Sequence, residues 1–252
     1  MTTLDVKGVL IGEGRPKTIV SLMGTSEDAL RRTAMDAVSS GADCVEWRVD
    51  YFGDRHDCKA VAQVGRRLRS SLSHTPLVFT FRSAQQGGQS PIRAEDYCEL
   101  VSTVIQYGAT DLVDIEACMG ARLAKALIRK AHAKGMPTIV SNHDFAGTPG
   151  VEAMVEQLTY MAALGADLPK LAVMAHSAAD CLHLMEATAR AYDALRRPLV
   201  TMAMGANGKL SRLAGETCGS ALTFCALGDP SAPGQVGLAE ATRMLDLLHD
   251  AL

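Results

Sequence analysis

Eight short runs rich in β-branched and other apolar residues recur down the chain, and each is followed by a segment with helical periodicity. They centre near Val20, Val45, Val78, Val113, Ile139, Leu171, Val200 and Thr223, a mean spacing of about 29 residues over seven intervals. Strict alternation of strand and helix demands parallel strands, because each helix carries the chain back to the start of the next strand by a right-handed crossover. Eight such units in 252 residues fit a closed α/β fold, the (β/α)8 TIM barrel, better than an open doubly wound sheet. One domain spanning residues 1–252 is predicted. Its first 17 residues form a bottom-capping segment, in which Val6 to Pro16 is left over before the first strand and is expected to make a short hairpin closing the barrel.

The intervening segments carry helix ends of their own. Ala121 to Lys134 places Leu123, Leu127, Ile128 and Ala131 on one stripe and stops at Gly135 and Pro137. Thr25 or Ser26 is positioned to cap a helix carrying Leu30, Ala34, Ala37 and Val38. Pro149 stands where a first-turn proline belongs, ahead of Met154, Leu158 and Met161.

Composition removes several classes of function. The 28 acidic and 25 basic residues leave a net charge of −3 with no run of five basic residues, which argues against nucleic acid or an anionic membrane as the main partner. Seven scattered cysteines without a CxxC pair read as reduced thiols, not as a zinc site or a disulfide frame. The first residues hold no apolar targeting core and no run reaches 18 apolar residues, so the expected compartment is the cytoplasm. No GxGxxG follows a strand, no GxxxxGK[ST] occurs and no HExxH occurs, so no nucleotide, metal or other cofactor is expected.

In a barrel the active site lies at the C-terminal ends of the strands, so charged residues on inward parity are the informative ones. The second strand offers Glu46, Arg48 and Asp50, spaced about 6.6 Å apart on one side. The third ends in Arg82, the fourth carries Asp114 and Glu116, and the fifth ends in His143 and Asp144. The sixth holds Lys170 within the otherwise apolar Leu168 to Ala175. Any one of these fits a surface salt bridge; five consecutive strands aiming ionisable groups at one space do not.

A lysine buried among arginines loses part of its preference for the charged form and becomes a nucleophile toward carbonyls. The same residue also suits a structural ion pair with Glu46. His143 has the range to move protons in both directions within one turnover. The last two loops, GANGKLSRLAGETCGS and GDPSAPGQVG, stand where many barrels hold an anion, and Arg212 supplies a fork for a carboxylate or phosphate.

EWRVD at 46–50, FTFRS at 79–83, HDF at 143–145, PKLAVM at 169–174, SRLAGE at 211–216 and SAPGQ at 231–235 resemble, in order and along the whole chain, the type I 3-dehydroquinate dehydratases. The resemblance implies a homodimeric lyase of the shikimate pathway, serving aromatic amino acid biosynthesis, that converts 3-dehydroquinate to 3-dehydroshikimate through a Schiff base. It implies Lys170 as the imine-forming lysine, His143 as general acid and base, and Glu46 as the group that orients His143 or balances charge. It further implies substrate contacts from Ser21, Glu46, Arg48, Arg82, Met204, Arg212, Ser231 and Gln235. Where the family usually has glutamate, this chain has Gln86, which keeps a hydrogen-bonding amide but takes no proton; it is expected in a loop closing over the substrate. Asn142 stands where an aromatic residue is common. Two other readings of the same residues are a class I aldolase, which also uses a barrel lysine, and a catalytically silent metabolite-binding barrel.

Overall fold

The computed structural model describes residues 3–251, so Met1, Thr2 and Leu252, the extremes of the expected domain, lie outside the described residues. The described chain opens with an antiparallel hairpin, β1 (Leu4–Val6) and β2 (Val9–Ile11), in which Leu4 faces Ile11. The barrel strands follow as β3 (Lys17–Leu22), β4 (Cys44–Arg48), β5 (Leu77–Thr80), β6 (Leu112–Glu116), β7 (Thr138–Asp144), β8 (Leu168–Met174), β9 (Val200–Met204) and β10 (Leu222–Cys225). Every ladder of the barrel is parallel, and β10 pairs with β3. The seam between β9 and β10 lacks a full ladder. It is bridged at Leu199 and Ser220, where Ala221 N–H donates to the Leu199 carbonyl at 2.7 Å and Thr201 N–H donates to Ser220 Oγ at 3.0 Å. The result is a nearly closed (β/α)8 barrel.

The long crossover helices are α1 (Glu27–Ser39), α2 (Cys58–Ser71), α3 (Ala94–Tyr107), α4 (Ala121–His132), α5 (Val151–Leu164) and α6 (Ala178–Leu195). Ser26 caps α1, its hydroxyl accepting from Ala29 N–H. Pro149 lies one residue before the N-cap of α5, Gly150, and so outside the first turn where the sequence had suggested it. The loop after β9 also differs from expectation. Its glycine-rich stretch winds into two short helices, α7 (Lys209–Leu213) and α8 (Gly215–Cys218), before the chain ends in α9 (Leu238–His249).

Two apolar clusters separate the layers. The larger lies between strands and helices and contains Trp47, Phe79, Phe81 and Tyr97. The smaller fills the barrel, where Ile19, Cys44, Val78, Leu112, Ile139, Leu168, Val200 and Leu222 contribute one side chain per strand near the strand starts. Val6 and Ile11 of the hairpin join this inner cluster, and Lys7 of its turn pairs with Asp111 at 2.9 Å just before β6. The hairpin therefore seals the bottom.

Two residues further along each strand, the same inward parity turns polar: Ser21, Glu46, Thr80, Asp114, Ser141 and Lys170 replace hydrocarbon on six strands, and Met202 and Phe224 complete the ring. That change from apolar to polar marks the floor of the site.

Candidate active site

A cavity of about 620 Å3, including its open mouth, sits on this polar layer, a size suited to a small ligand. Lys170 lines it from β8, is 3% exposed, and rises over the Phe224 ring with Nζ 4.2 Å from the centroid. Its nearest carboxylate is Asp114, at 3.4 Å; Glu46 stands at 4.0 Å. Burial, with Arg82 adding to it, pulls the Lys170 pKa below the usual lysine value, against the opposing pull of Asp114 and Glu46.

His143 leaves β7 beside Lys170 in the same cavity. Gln86 reaches it from the loop after β5. Its side-chain carbonyl accepts the His143 main-chain N–H at 2.6 Å and faces the ring Nδ1 at 3.3 Å. An amide oxygen can only accept, so this contact assigns the hydrogen to Nδ1 and leaves Nε2 as a base. Burial, then the charges of Arg82, Lys170 and Arg48, holds the His143 pKa well below the usual imidazole value, which keeps the ring neutral. Phe145 stacks on it at 6.4 Å between centroids. Gly87, at φ +82°, passes directly under Phe145, and a Cβ there would run into that ring.

Glu46 makes no hydrogen bond to His143 and is turned instead toward two hydroxyls. Its Oε2 accepts from Ser21 Oγ at 2.6 Å and its Oε1 from Thr80 Oγ1 at 2.8 Å. Ser21 lies below the cavity wall, and its hydroxyl in turn accepts from Ser231 Oγ at 3.1 Å. Gln235 grips the same serine twice, accepting from Ser231 N–H at 2.8 Å and donating to Ser231 Oγ at 2.9 Å. A hydrogen-bonded path thus links the last loop to a carboxylate beside the lysine.

The three arginines differ. Arg48 forks onto Asp50 through Nε at 2.9 Å and Nη2 at 2.8 Å. Asp50 is not on the strand, as its parity had suggested: β4 ends at Arg48 and the next turn folds Asp50 back against it. Arg82 stands two residues past the end of β5 and binds Asp114 at 2.8 Å, Glu116 at 2.9 Å and Ser141 at 2.9 Å. Burial opposes its charge, but Asp114 and Glu116 outweigh that and hold its pKa above the usual value.

Arg212, on α7, is 2% exposed and donates only to the Pro233 carbonyl, at 3.2 Å from Nη2. Its Nε and Nη1 are buried without a partner, and burial lowers its pKa to about 10. An uncompensated guanidinium facing a cavity is costly unless an anion enters. Met204, Met202, Phe145 and Phe224 give the remaining wall an apolar surface. No group of three His, Cys, Asp or Glu side chains able to hold a metal occurs among the described residues, and the seven cysteines are free thiols.

Of the residues singled out from sequence, ten line the cavity and Ser21 supports it from below. The sequence reading gave no role to Asp114 and missed Phe145, Met202 and Phe224. Inward parity alone pointed to Asp114; apolar residues on barrel strands look the same whether they line a site or fill a core.

The type I 3-dehydroquinase family model matches residues 18–251. A 3-dehydroquinate dehydratase of Listeria monocytogenes is 44% identical over 249 residues, 99% of either chain. One from Salmonella agona is 40% identical over the full 252 residues of both chains. A type I 3-dehydroquinate dehydratase of Clostridium difficile, solved with covalent modified comenic acid, superimposes with a TM-score of 0.96 at 41% identity, covering 100% of this chain and 99% of that one. With a family model and relatives matching over nearly its whole length, the chain belongs to the type I 3-dehydroquinase family.

Proposed function

We propose that this chain, as a hydro-lyase, removes water from 3-dehydroquinate by forming an imine between the substrate ketone and Lys170. The observation that carries the reading is Lys170 itself: a buried amine, shifted toward neutrality, sharing one small cavity with a histidine whose Nε2 is free to act as base. The neutral amine attacks the ketone carbon. The carbinolamine takes up one proton from solvent, loses its hydroxyl as water and leaves an iminium, a far stronger electron sink than the ketone. His143 Nε2 then takes the α-proton, and the electron pair moves into an enamine. The resulting imidazolium gives its proton to the departing β-hydroxyl, which leaves as water on the same face. Hydrolysis of the conjugated iminium returns Lys170 and releases 3-dehydroshikimate.

The remaining groups hold the ring. Arg212 takes the carboxylate through its two unpartnered N–H groups. Ser231 and Gln235 close from the last loop over the hydroxyl face, with Ser21 and Glu46 beneath them. Arg48, Arg82, Met204 and Gln86 complete the wall. We also place the whole chain, residues 1–252, in one domain, acting as a homodimer in the cytoplasm. No helix among the described residues is long and apolar enough to cross a membrane. Light scattering at twice the mass of the chain is the expected result.

Borohydride reduction with 3-dehydroquinate, followed by peptide mapping, tests the chemistry. The substrate mass should appear on the peptide holding Lys170 and on no other. Reduction that leaves this peptide unmodified while turnover is normal would overturn the imine.

A further inference from the structure

We propose that Asp114, not Glu46, is the fixed counter-ion of Lys170 and of the iminium formed on it, and that Glu46 serves instead as the anchor for the last loop. The inference rests on the imine reading above and assigns two carboxylates at the same lysine to different tasks. Geometry separates them. Asp114 Oδ2 is 3.4 Å from Lys170 Nζ and 2.8 Å from Arg82 Nη2, while its Oδ1 accepts from Ser141 Oγ at 2.6 Å. Ser141 is itself held by Arg82 Nη1 at 2.9 Å. Arg82 and Ser141 therefore clamp this carboxylate from two sides, and it is at most 1% exposed. Glu46 has no cation within direct reach other than Lys170, at the longer 4.0 Å, and both of its oxygens are engaged by hydroxyls. One of those hydroxyls, on Ser21, continues through Ser231 to the last loop.

The charge states follow the same division. Burial would raise the Asp114 pKa, but Arg82, Lys170 and the Ser141 hydrogen bond outweigh it and hold the carboxyl below its usual range. Asp114 is thus anionic beside a positively charged nitrogen, whether ammonium or iminium. It is too weak a base to carry off the lysine proton, and it serves to stabilise positive charge on that nitrogen. The charged groups facing Lys170 from the packed elements are Glu46 on β4, Arg82 after β5, Asp114 on β6 and His143 on β7, while β9 and β10 present Met202 and Phe224.

Removal of the Asp114 charge acts on Lys170 in two opposed ways. The ammonium loses support, so the free amine persists to lower pH; the iminium loses support too, so turnover slows. Asp114→Asn should shift the acidic limb of kcat/KM that reports Lys170 downward by about one pH unit or more, the scale for an opposite charge at this distance. It should also lower kcat at least tenfold, while borohydride still traps substrate on Lys170. Glu46→Gln should move that limb less and raise KM more. An unshifted limb in Asp114→Asn, or a larger shift in Glu46→Gln, would overturn the assignment. Loss of trapping in the wild-type chain would instead overturn the imine itself. Because Asn at 114 leaves Arg82 with one carboxylate fewer and could prevent folding, carboxyl-carbon NMR on the selectively labelled wild-type chain supplies a second measurement. The Asp114 resonance should move as Lys170 titrates, and by more than that of Glu46; the reverse order would refute the proposal.

Discussion

The two walls of the cavity are built on opposite principles. On the side of β4 to β6 every cation has its anion. Arg48 forks onto Asp50, and Arg82 is shared among Asp114, Glu116 and Ser141, all within 2.9 Å. On the side of β9 and β10, Arg212 is as deeply buried as Arg82, yet two of its three nitrogens have no partner. Their pKa shifts run in opposite directions for this reason: carboxylates raise Arg82, while burial alone brings Arg212 down to about 10. A saturated network is stiff and already in its working arrangement; an unsatisfied cation is stabilised only by what enters. Substitutions in the saturated network around Arg82 should therefore act on kcat and stability, and those at Arg212 on KM.

The largest effect should come from Lys170→Ala. Activity should fall below a hundredth of the wild type, and borohydride trapping should vanish while circular dichroism stays native. Retained turnover above that level would remove the amine from the chemistry and break the division between walls. Next in size, His143→Ala should lower kcat by about 10²–10⁴, the range for one general acid–base group, with KM little changed. Since Lys170 survives in that variant, a substrate adduct should accumulate, visible by mass spectrometry. Normal turnover would exclude His143 as the proton carrier.

The two arginines allow the sharpest contrast. Arg82→Ala leaves Glu116 buried without its cation and Asp114 with Lys170 alone, which should cost about 3–5 kcal/mol of stability in denaturant unfolding. Arg212→Ala removes a charge that no anion balances, so unfolding should be unchanged or slightly harder. Its cost should appear on binding, about 1.5–3 kcal/mol for a charge-assisted contact to the substrate carboxylate. An analogue lacking the carboxylate should bind wild type and Arg212→Ala alike. If Arg212→Ala destabilised the fold as much as Arg82→Ala, the contrast would collapse.

The barrel was legible because its causes are periodic. Strand and helix patterns alternate at a steady interval, and inward parity on six strands changes from apolar to polar at the same height, as at Ile19 and Ser21 or Cys44 and Glu46. Strand ends were less legible. Arg82 lies two residues beyond β5 and Asp50 in a turn after β4, since a β-pattern does not reveal where the ladder stops. The tasks of the carboxylates could not be read at all. Asp114 and Glu46 are equivalent in parity, and only their surroundings tell them apart: 3.4 against 4.0 Å to Lys170 Nζ, and the Arg82 and Ser141 clamp against the hydroxyls of Ser21 and Thr80. Gln86 illustrates the same limit, because a loop's path decides whether its amide meets substrate or histidine.

Gln86 also gives the smallest predicted effect. It was expected to close over the substrate, and it does line the cavity, but its carbonyl is already committed to the His143 main chain and ring. A carboxylate in its place would accept the same two hydrogen bonds, so Gln86→Glu should leave the His143 geometry intact and change kcat by less than about tenfold. What it would alter is charge. His143 is held low by burial and by Arg82, Lys170 and Arg48; an anion against Nδ1–H would favour the imidazolium and raise that pKa. The acidic limb that reports His143 should then move to higher pH, because the base must be neutral to take the α-proton. The pH profile of kcat for both proteins measures this directly. A rise in kcat of tenfold or more, with KM unchanged, would mean that a carboxylate here shares in proton transfer and that the chain runs below the capacity of its own site. A limb that stayed fixed would mean that the amide's contact with the ring does not govern its charge.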